Sequence, residues 1–257
     1  MLRFDDRLAA LDLTLFESID SETTSEDKRS LLALQVACRR EVESFNWLEI
    51  GSYLGGSLQT LVRDPRCAYI SSIDPRPTEQ LPDERQRQTS YPDNSTKRML
   101  ELLGRVPGAR LGIVRTYEAS TETLDPDTFD PPHVCFVDGE HTDEACERDA
   151  DFCRRALRNT GLIAFHDVQV VYGGIAAFLE RLKSDGVPHR AAYLPDRIFA
   201  VELGDPKLLE DPAVVSRRLA AGSGVLAILD ENDRYRAFLK ARRARVLQTL
   251  RILPRRY

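Results

Sequence analysis

Two short groups of acids and imidazoles stand out in the chain, Asp138-Gly139-Glu140-His141 and His166-Asp167. Carboxylates and imidazoles are the side chains that hold divalent cations and exchange protons near neutral pH. Each group closes a short apolar run, Val134-Cys135-Phe136-Val137 in one case and Leu162-Ile163-Ala164-Phe165 in the other. An amphipathic stretch over 142–158 and the breaker Asn159-Thr160-Gly161 lie between them. The pattern predicts strand, helix, strand, with the right-handed crossover that parallel βαβ units adopt. Parallel strands end at the same sheet edge, so Asp138 and His141 should face His166 and Asp167. That edge is a candidate divalent-metal or acid–base site.

A second feature lies upstream. The run Trp47-Leu48-Glu49-Ile50 leads into Gly51-Ser52-Tyr53-Leu54-Gly55-Gly56-Ser57. A strand, a glycine-rich turn and a helix over 57–62 would cradle a nucleotide-like ligand. Glycines admit close backbone approach, and a helix N-terminus favours negative charge. The spacing is G-x-x-x-G-G, not the G-x-G-x-x-G of dinucleotide enzymes, and a tight structural turn is the plain alternative. The next apolar run, 68–73, ends in Asp74, placed to accept hydrogen bonds from ribose hydroxyls. Its plain alternative is a turn or capping acid.

The remaining elements must hold these groups. Helices are expected over 3–19 and 27–44, with Thr24 or Ser25 as a cap. Residues 75–95 form a long, proline-punctuated, charged connection, a length that in compact domains often serves as a lid or binding loop. A helix over 96–103 and a strand over 110–114 follow, putting Arg115-Thr116-Tyr117-Glu118 at the same edge as Gly51 and Asp74. A helix is expected over 175–183. The last two strands, 191–194 and 198–203, are joined by Pro195-Asp196-Arg197, short enough for an antiparallel hairpin. From 206 onward the chain reads as charged and helical. Its basic stretch, 231–256, reads as a solvated face, with an anionic partner or a dimer contact as alternatives. The sum is an α/β protein with an open, mostly parallel sheet, a terminal antiparallel pair and helices on both faces. Residues 1–45 form a helical lead-in, 46–204 the core and 205–257 a helical extension of one compact domain. Ligands bind such sheets where the strand order reverses, between the first and fourth strands. The glycine turn and Asp138 should therefore be neighbours.

Composition narrows the function. At 257 residues a full core can be buried, and a net charge of −5 argues against a broad basic face for nucleic acid. No apolar run approaches the ~20 residues that span a bilayer. The first residues lack a signal-like apolar core, so a cytoplasmic location is expected. Cys38, Cys67, Cys135, Cys146 and Cys153 are odd in number and lack a C-x-x-C pair, which predicts reduced, packed thiols. A homo-oligomer is compatible with this sequence.

Taken together, the motifs resemble class I S-adenosylmethionine-dependent methyltransferases, over about residues 47–203. LEIGSYLGGS looks like their first motif and SSIDP like their ribose-binding acid. VDGEH with GLIAFHDV is similar to the metal-dependent O-methyltransferase branch, of catechol, caffeoyl-CoA and macrolide-sugar type. The resemblance implies a Rossmann-like fold and S-adenosyl-L-methionine as cofactor. It implies that Glu49, Gly51, Ser52, Tyr53 and Ser57 hold its methionine portion, that Asp74 binds its ribose, and that Thr116 and Tyr117 lie near its adenine. Asp138, beside the cofactor, would be the first metal ligand, and His166-Asp167 stands where the family has an acid–amide pair. Asp167 suits magnesium. An imidazole at His166 suits manganese or another transition metal, or only orients the site. His141 stands at the offset of the catechol type's basic lysine, and the macrolide-sugar enzymes resemble this chain in having histidine there. The implied reaction is metal-assisted methylation of a hydroxyl on a small polyhydroxylated or glycosylated metabolite. The competing readings are a non-catalytic cofactor-binding or assembly protein on the same fold, and a nicotinamide-dependent oxidoreductase.

Overall fold

A computed structural model describes residues 3–222 and 224–252. The chain opens with helix α1 (Phe4–Ala9), a 3-10 turn and helix α2 (Ser25–Glu41). Thr24 starts α2 through a reciprocal capping box. Its hydroxyl accepts from the Asp27 amide, and the Asp27 carboxylate accepts from the Thr24 amide. Strands β1 (Phe45–Ile50) and β2 (Cys67–Ile73), helix α3 (Thr96–Leu103) and strand β3 (Val114–Tyr117) follow. Then come β4 (Val134–Val137), α4 (Asp143–Ala156), β5 (Gly161–Phe165), α5 (Val168–Ser184), β6 (His189–Tyr193) and β7 (Phe199–Leu203). Helix α6 (Pro212–Val215), the short strand β8 (Ala220–Ala221) and helix α7 (Gly224–Ile252) close the chain.

The sheet order is β3-β2-β1-β4-β5-β7-β6-β8. β3, β2, β1, β4 and β5 are parallel, and β7 runs antiparallel to both β5 and β6. This is the expected open α/β sheet of Rossmann-like type, with its order reversing between β1 and β4. β4, β5 and β7 are buried along their whole length, as strands covered on both faces must be. One apolar cluster gathers Leu34, Trp47, Phe136 and Met99 on one face, and another gathers Phe165, Phe178, Cys153 and Val201 on the other. All five cysteines are buried and unpaired.

Four local expectations are corrected. Residues 57–62 form a chain of tight turns, not a helix. Leu58 N donates to Gly55 O and Leu61 N to Leu58 O, and the Gln59 side-chain amide takes the Gly56 carbonyl (2.6 Å) that a helix would use. Pairing of the third strand begins at Val114, later than expected, because Arg110 is committed to the loop before β2. Its amide donates to Val62 O and its guanidinium to Cys67 O. α5 starts at Val168, ahead of the expected 175. Gly173 and Gly174 read as a breaker, yet they are where α5 crosses α4. The Gly174 amide donates to Asp143 Oδ1 (2.7 Å), and a Cβ at Gly174 would collide with the Asp143 backbone. The lead-in's first helix is shorter than expected, ending at Ala9.

From Gly224 the C-terminal stretch is helical as expected, but Ala220–Ala221 within the expected helical extension pair with β6 as β8. Leu226 is buried, whereas Tyr235 and Phe238 are exposed. The part of the basic stretch over 253–256 lies outside the described residues. No helix among the described residues is long and apolar enough to cross a membrane.

Candidate active site

The ladder continues one residue past each strand and fixes the backbone of the site. Gly51 N donates to Ile73 O, Asp138 N to Ile50 O, His166 N to Val137 O and Asp74 N to Tyr117 O. A cavity of about 400 Å³ opens above these ends, within the range of small-molecule sites. Gly51, Ser52, Tyr53, Ser57, Asp74, Asp138, His141, His166 and Asp167 all line it.

Gly51 has φ +85°, and a Cβ there would overlap the Asp138 carbonyl and Gly139. The glycine turn and the first acid of the cluster thus meet backbone to backbone. Tyr53, Arg76 and Asp167 also hold left-handed backbone (φ 42°, 58° and 47°). Such strain costs about 1–3 kcal/mol each and persists only where surroundings impose it.

Asp74 is held by its neighbours. Oδ2 accepts from the Tyr53 amide (2.9 Å) and Oδ1 from the Arg76 amide (2.7 Å), with the Arg76 guanidinium at 3.2 Å. Arg76 also donates to the Tyr53 carbonyl, to Ser52 Oγ (3.1 Å) and to Asn94 Oδ1 (3.2 Å). It therefore ties the glycine turn to the acid. Glu49, expected at the cofactor, is not among the residues that line the cavity: it lies beneath the turn, 1 % exposed. Its Oε1 accepts from Ser57 Oγ, and its Oε2 has no partner. Burial pushes the Glu49 carboxyl up to about 8. Thr116 and Tyr117 are not brought to the cavity. They belong to β3, and the Tyr117 ring packs on Phe129 (4.8 Å) while residues 119–122 line the far end instead. Buried Asp149 accepts from Thr121 Oγ1 (2.6 Å) and joins that far wall.

At the other end, His141 Nε2 lies 3.3 Å from Asp167 Oδ2 and 3.7 Å from Asp138 Oδ1. It is a buried atom with no aligned hydrogen-bond partner. Asp138, His141 and Asp167 each present one ligand atom within 4.8 Å of the others. The three-residue group differs from the expected Asp138–His166–Asp167 set. His166 stands just behind it, with Nδ1 2.9 Å from Asp138 Oδ1 and 3.5 Å from Asp167 Oδ2, and Nε2 3.2 Å from Asp27 Oδ2. Burial disfavours a charged imidazole at both histidines, but the surrounding carboxylates outweigh it. His141 is raised above its ordinary value and His166 well above. Burial likewise opposes the charged Asp138, and the two imidazoles outweigh it, holding Asp138 well below the carboxylate range. The pocket draws positive charge to its centre.

The loop over 75–95 lies across this end. Gln80 Nε2 donates to Gly139 O (3.3 Å), Glu84 N to His141 O (3.1 Å), and Arg85 to Gln169 O. Arg85 also pairs with Asp233 of α7 (3.4 Å). Glu22, from the lead-in, lines the mouth, and burial, with Asp138 next, raises its carboxyl. Arg197 pairs with Asp167 (3.0 Å). Asp27, Arg76, Arg197 and Asp149 had not been singled out from sequence. Only Asp27, in the Thr24 capping box, and Arg76, beside Asp74, carry a local signal there.

A sheet reversing between β1 and β4, with a glycine turn after β1, an acid closing β2 and a cavity at that point, is the class I methyltransferase architecture. A family model described as a methyltransferase domain matches residues 48–168, from β1 to the first residue of α5. That stretch is accordingly an S-adenosylmethionine-dependent methyltransferase domain. The sequence matches no curated protein. Similar solved structures include the O-methyltransferase TomG from Streptomyces achromogenes, involved in tomaymycin synthesis and solved with SAM. It is 16 % identical over 80 % of this chain and 92 % of that one, with TM-score 0.48. The calicheamicin methyltransferase CalS11 is 18 % identical over 78 % and 93 %, with TM-score 0.48. An O-methyltransferase from Bacillus cereus in complex with SAH is 16 % identical over 80 % and 93 %, with TM-score 0.47.

Proposed function

We propose that this methyltransferase acts on a hydroxyl of a small polyhydroxylated or glycosylated metabolite, with a divalent cation, magnesium or manganese, held by Asp138 and Asp167. The observation that carries this reading is the backbone contact of Gly51 with Asp138, which puts a cofactor turn and an acid–imidazole cluster in one cavity. The residues fit both groups. Gly51 leaves a cradle that a Cβ would fill, and Glu49 Oε2 is a buried acceptor without a donor. The unpartnered His141 Nε2 among two carboxylate oxygens is a donor set for a cation.

S-adenosylmethionine would supply an electrophilic methyl on sulfur, and the cation would lower the pKa of the acceptor hydroxyl. Asp74, oriented by Arg76 and the Tyr53 amide, accepts from the ribose hydroxyls. Glu49 and the backbone at Gly51–Tyr53 receive the amino-acid end. His141 Nε2 takes the acceptor's proton, and Asp138 and Asp167 keep that proton in place. Loop 75–95 closes the acceptor end against water. The chain's contribution is positioning and preset charge.

The test is transfer of labelled methyl from S-adenosylmethionine to a panel of vicinal diols and catechols. Methylated product that disappears with excess EDTA and returns with magnesium or manganese is expected. Full turnover in EDTA refutes the cation. Tight cofactor binding with no product anywhere in the panel favours the non-catalytic alternative. The orphaned His141 Nε2 also favours a second assignment, as third ligand in place of base. In His141→Gln, the base role predicts lost transfer with unchanged manganese affinity, and the ligand role predicts that both fall.

A further inference from the structure

We propose that Asp27, at the start of α2, is a positioning residue that aims His166 Nδ1 at the candidate cation site as a ligand. This rests on the reading of Asp138 and Asp167 as cation ligands. An imidazole has two polar atoms, and those of His166, 4 % exposed, are both committed to carboxylates. Nε2 lies 3.2 Å from Asp27 Oδ2, and Nδ1 lies 2.9 Å from Asp138 Oδ1. The Phe136 ring meets the imidazole edge-on at 5.9 Å. The ring therefore has one orientation.

Asp27 is itself immobile. It is fully buried, and Oδ2 also accepts from Thr24 N (3.0 Å) and Thr24 Oγ1 (2.8 Å). Its Oδ1 accepts from the Arg197 amide (3.1 Å), in the turn between β6 and β7. Capping α2 needs only the exchange with Thr24, which an exposed acid supplies equally well. Capping alone does not account for a buried carboxylate reaching the β5 end and a distant hairpin, since an acid stripped of water is costly unless charged partners repay it. A carboxylate on the far nitrogen of a ligating histidine fixes its tautomer and raises its basicity. With Nε2–H given to Asp27, Nδ1 is left facing Asp138 and Asp167. Asp27 lies outside the matched methyltransferase stretch of 48–168, so the lead-in completes the site as well as covering it.

The test is manganese binding to the full chain, read as loss of the free-ion EPR signal, in wild type, Asp27→Asn, Thr24→Ala and Asp138→Asn. An amide at position 27 presents N–H to a donor whichever way it turns. Asp27→Asn should weaken manganese by about 10–100-fold, with S-adenosylhomocysteine affinity, by calorimetry, unchanged. Thr24→Ala removes the cap and the Thr24 Oγ1 bond to Asp27 but keeps the Asp27–His166 contact, so it should cost manganese affinity less than about threefold. Equal manganese affinity in Asp27→Asn and wild type overturns the proposal, as does an equal loss in both variants. If Asp138→Asn binds manganese like wild type, the cation reading itself fails. A measurement needing no variant is the nitrogen NMR shift of His166 in the magnesium-loaded wild type. A proton on Nε2 alone is expected, and any other protonation of that ring overturns the proposal.

Discussion

Glu49 gives the most quantitative prediction. Its carboxyl is fully buried and raised from 4.5 to about 8, so in the cofactor-free protein it is mostly protonated at neutral pH. The unfolded chain releases that proton near its ordinary value. Between about pH 4.5 and 8 the folded state thus binds more protons than the unfolded state, and stability falls as pH rises. At about 1.4 kcal/mol per unit, the gap amounts to roughly 3 kcal/mol at pH 7 and nears 5 kcal/mol above pH 8. Glu49→Gln keeps the shape and removes the titration. Its stability relative to wild type should start about 1 kcal/mol lower at about pH 4.5, for an amide N–H without an acceptor, and then gain by a few kcal/mol up to pH 8. Urea unfolding of both proteins without cofactor, at several pH values, measures the difference directly. A cofactor ammonium beside Oε2 favours the charged carboxylate, so S-adenosylhomocysteine should bind wild type more tightly toward pH 8 and lose that dependence in Glu49→Gln. Parallel stability curves for the two proteins would refute the reasoning, because Glu49 would then be ionised in the fold.

Other perturbations test the parts around it. Gly51→Ala meets both a left-handed backbone and the Asp138 carbonyl; a loss of about 2–5 kcal/mol is expected in chemical unfolding, together with loss of S-adenosylhomocysteine binding. Arg76→Met strips the buried Asp74 of its guanidinium and should cost about 3–5 kcal/mol in stability, with cofactor affinity falling in calorimetry. Arg85→Ala frees loop 75–95 from α5 and α7; faster proteolytic cleavage within 75–95 and a higher acceptor KM are expected, with cofactor affinity unchanged.

Much of the site was legible because parallel strands end together. Once 134–137 and 162–165 read as strands, Asp138, His141, His166 and Asp167 had to meet, and the glycine turn had to join them at the β1/β4 reversal. What sequence missed came from side chains competing with backbone, or from contacts between distant segments. Leu58, Leu61 and Val62 have helical spacing, yet the Gln59 amide takes a carbonyl the helix needed. The apolar run over 110–114 looked like the third strand, but Arg110 is anchored to the neighbouring loop, which carried Thr116 and Tyr117 into the strand and away from the cavity. Gly173 and Gly174 spelled a break where two helices needed room to cross. Asp27 is an ordinary first-turn acid by its position, and periodicity carries no trace of a partner 139 residues away.

The meeting of Gly51 with Asp138 has a consequence for redesign. Strand spacing, and no adjustable side chain, sets how far the donor cradle stands from the acid cluster. The rest of the cavity's rim comes from elsewhere, from Glu22 and its neighbours and from Gln80 and Leu81 of the overlying loop. These segments are grafted onto the sheet's rim and contribute nothing to its strand pairing. The two segments differ in one respect: Asp20 and Ser21 pack against Gly56 of the glycine turn, whereas 78–82 reaches the rim through Gln80 on Gly139. A library confined to 78–82 should therefore vary the rim of the cavity with cofactor affinity held at the wild-type value.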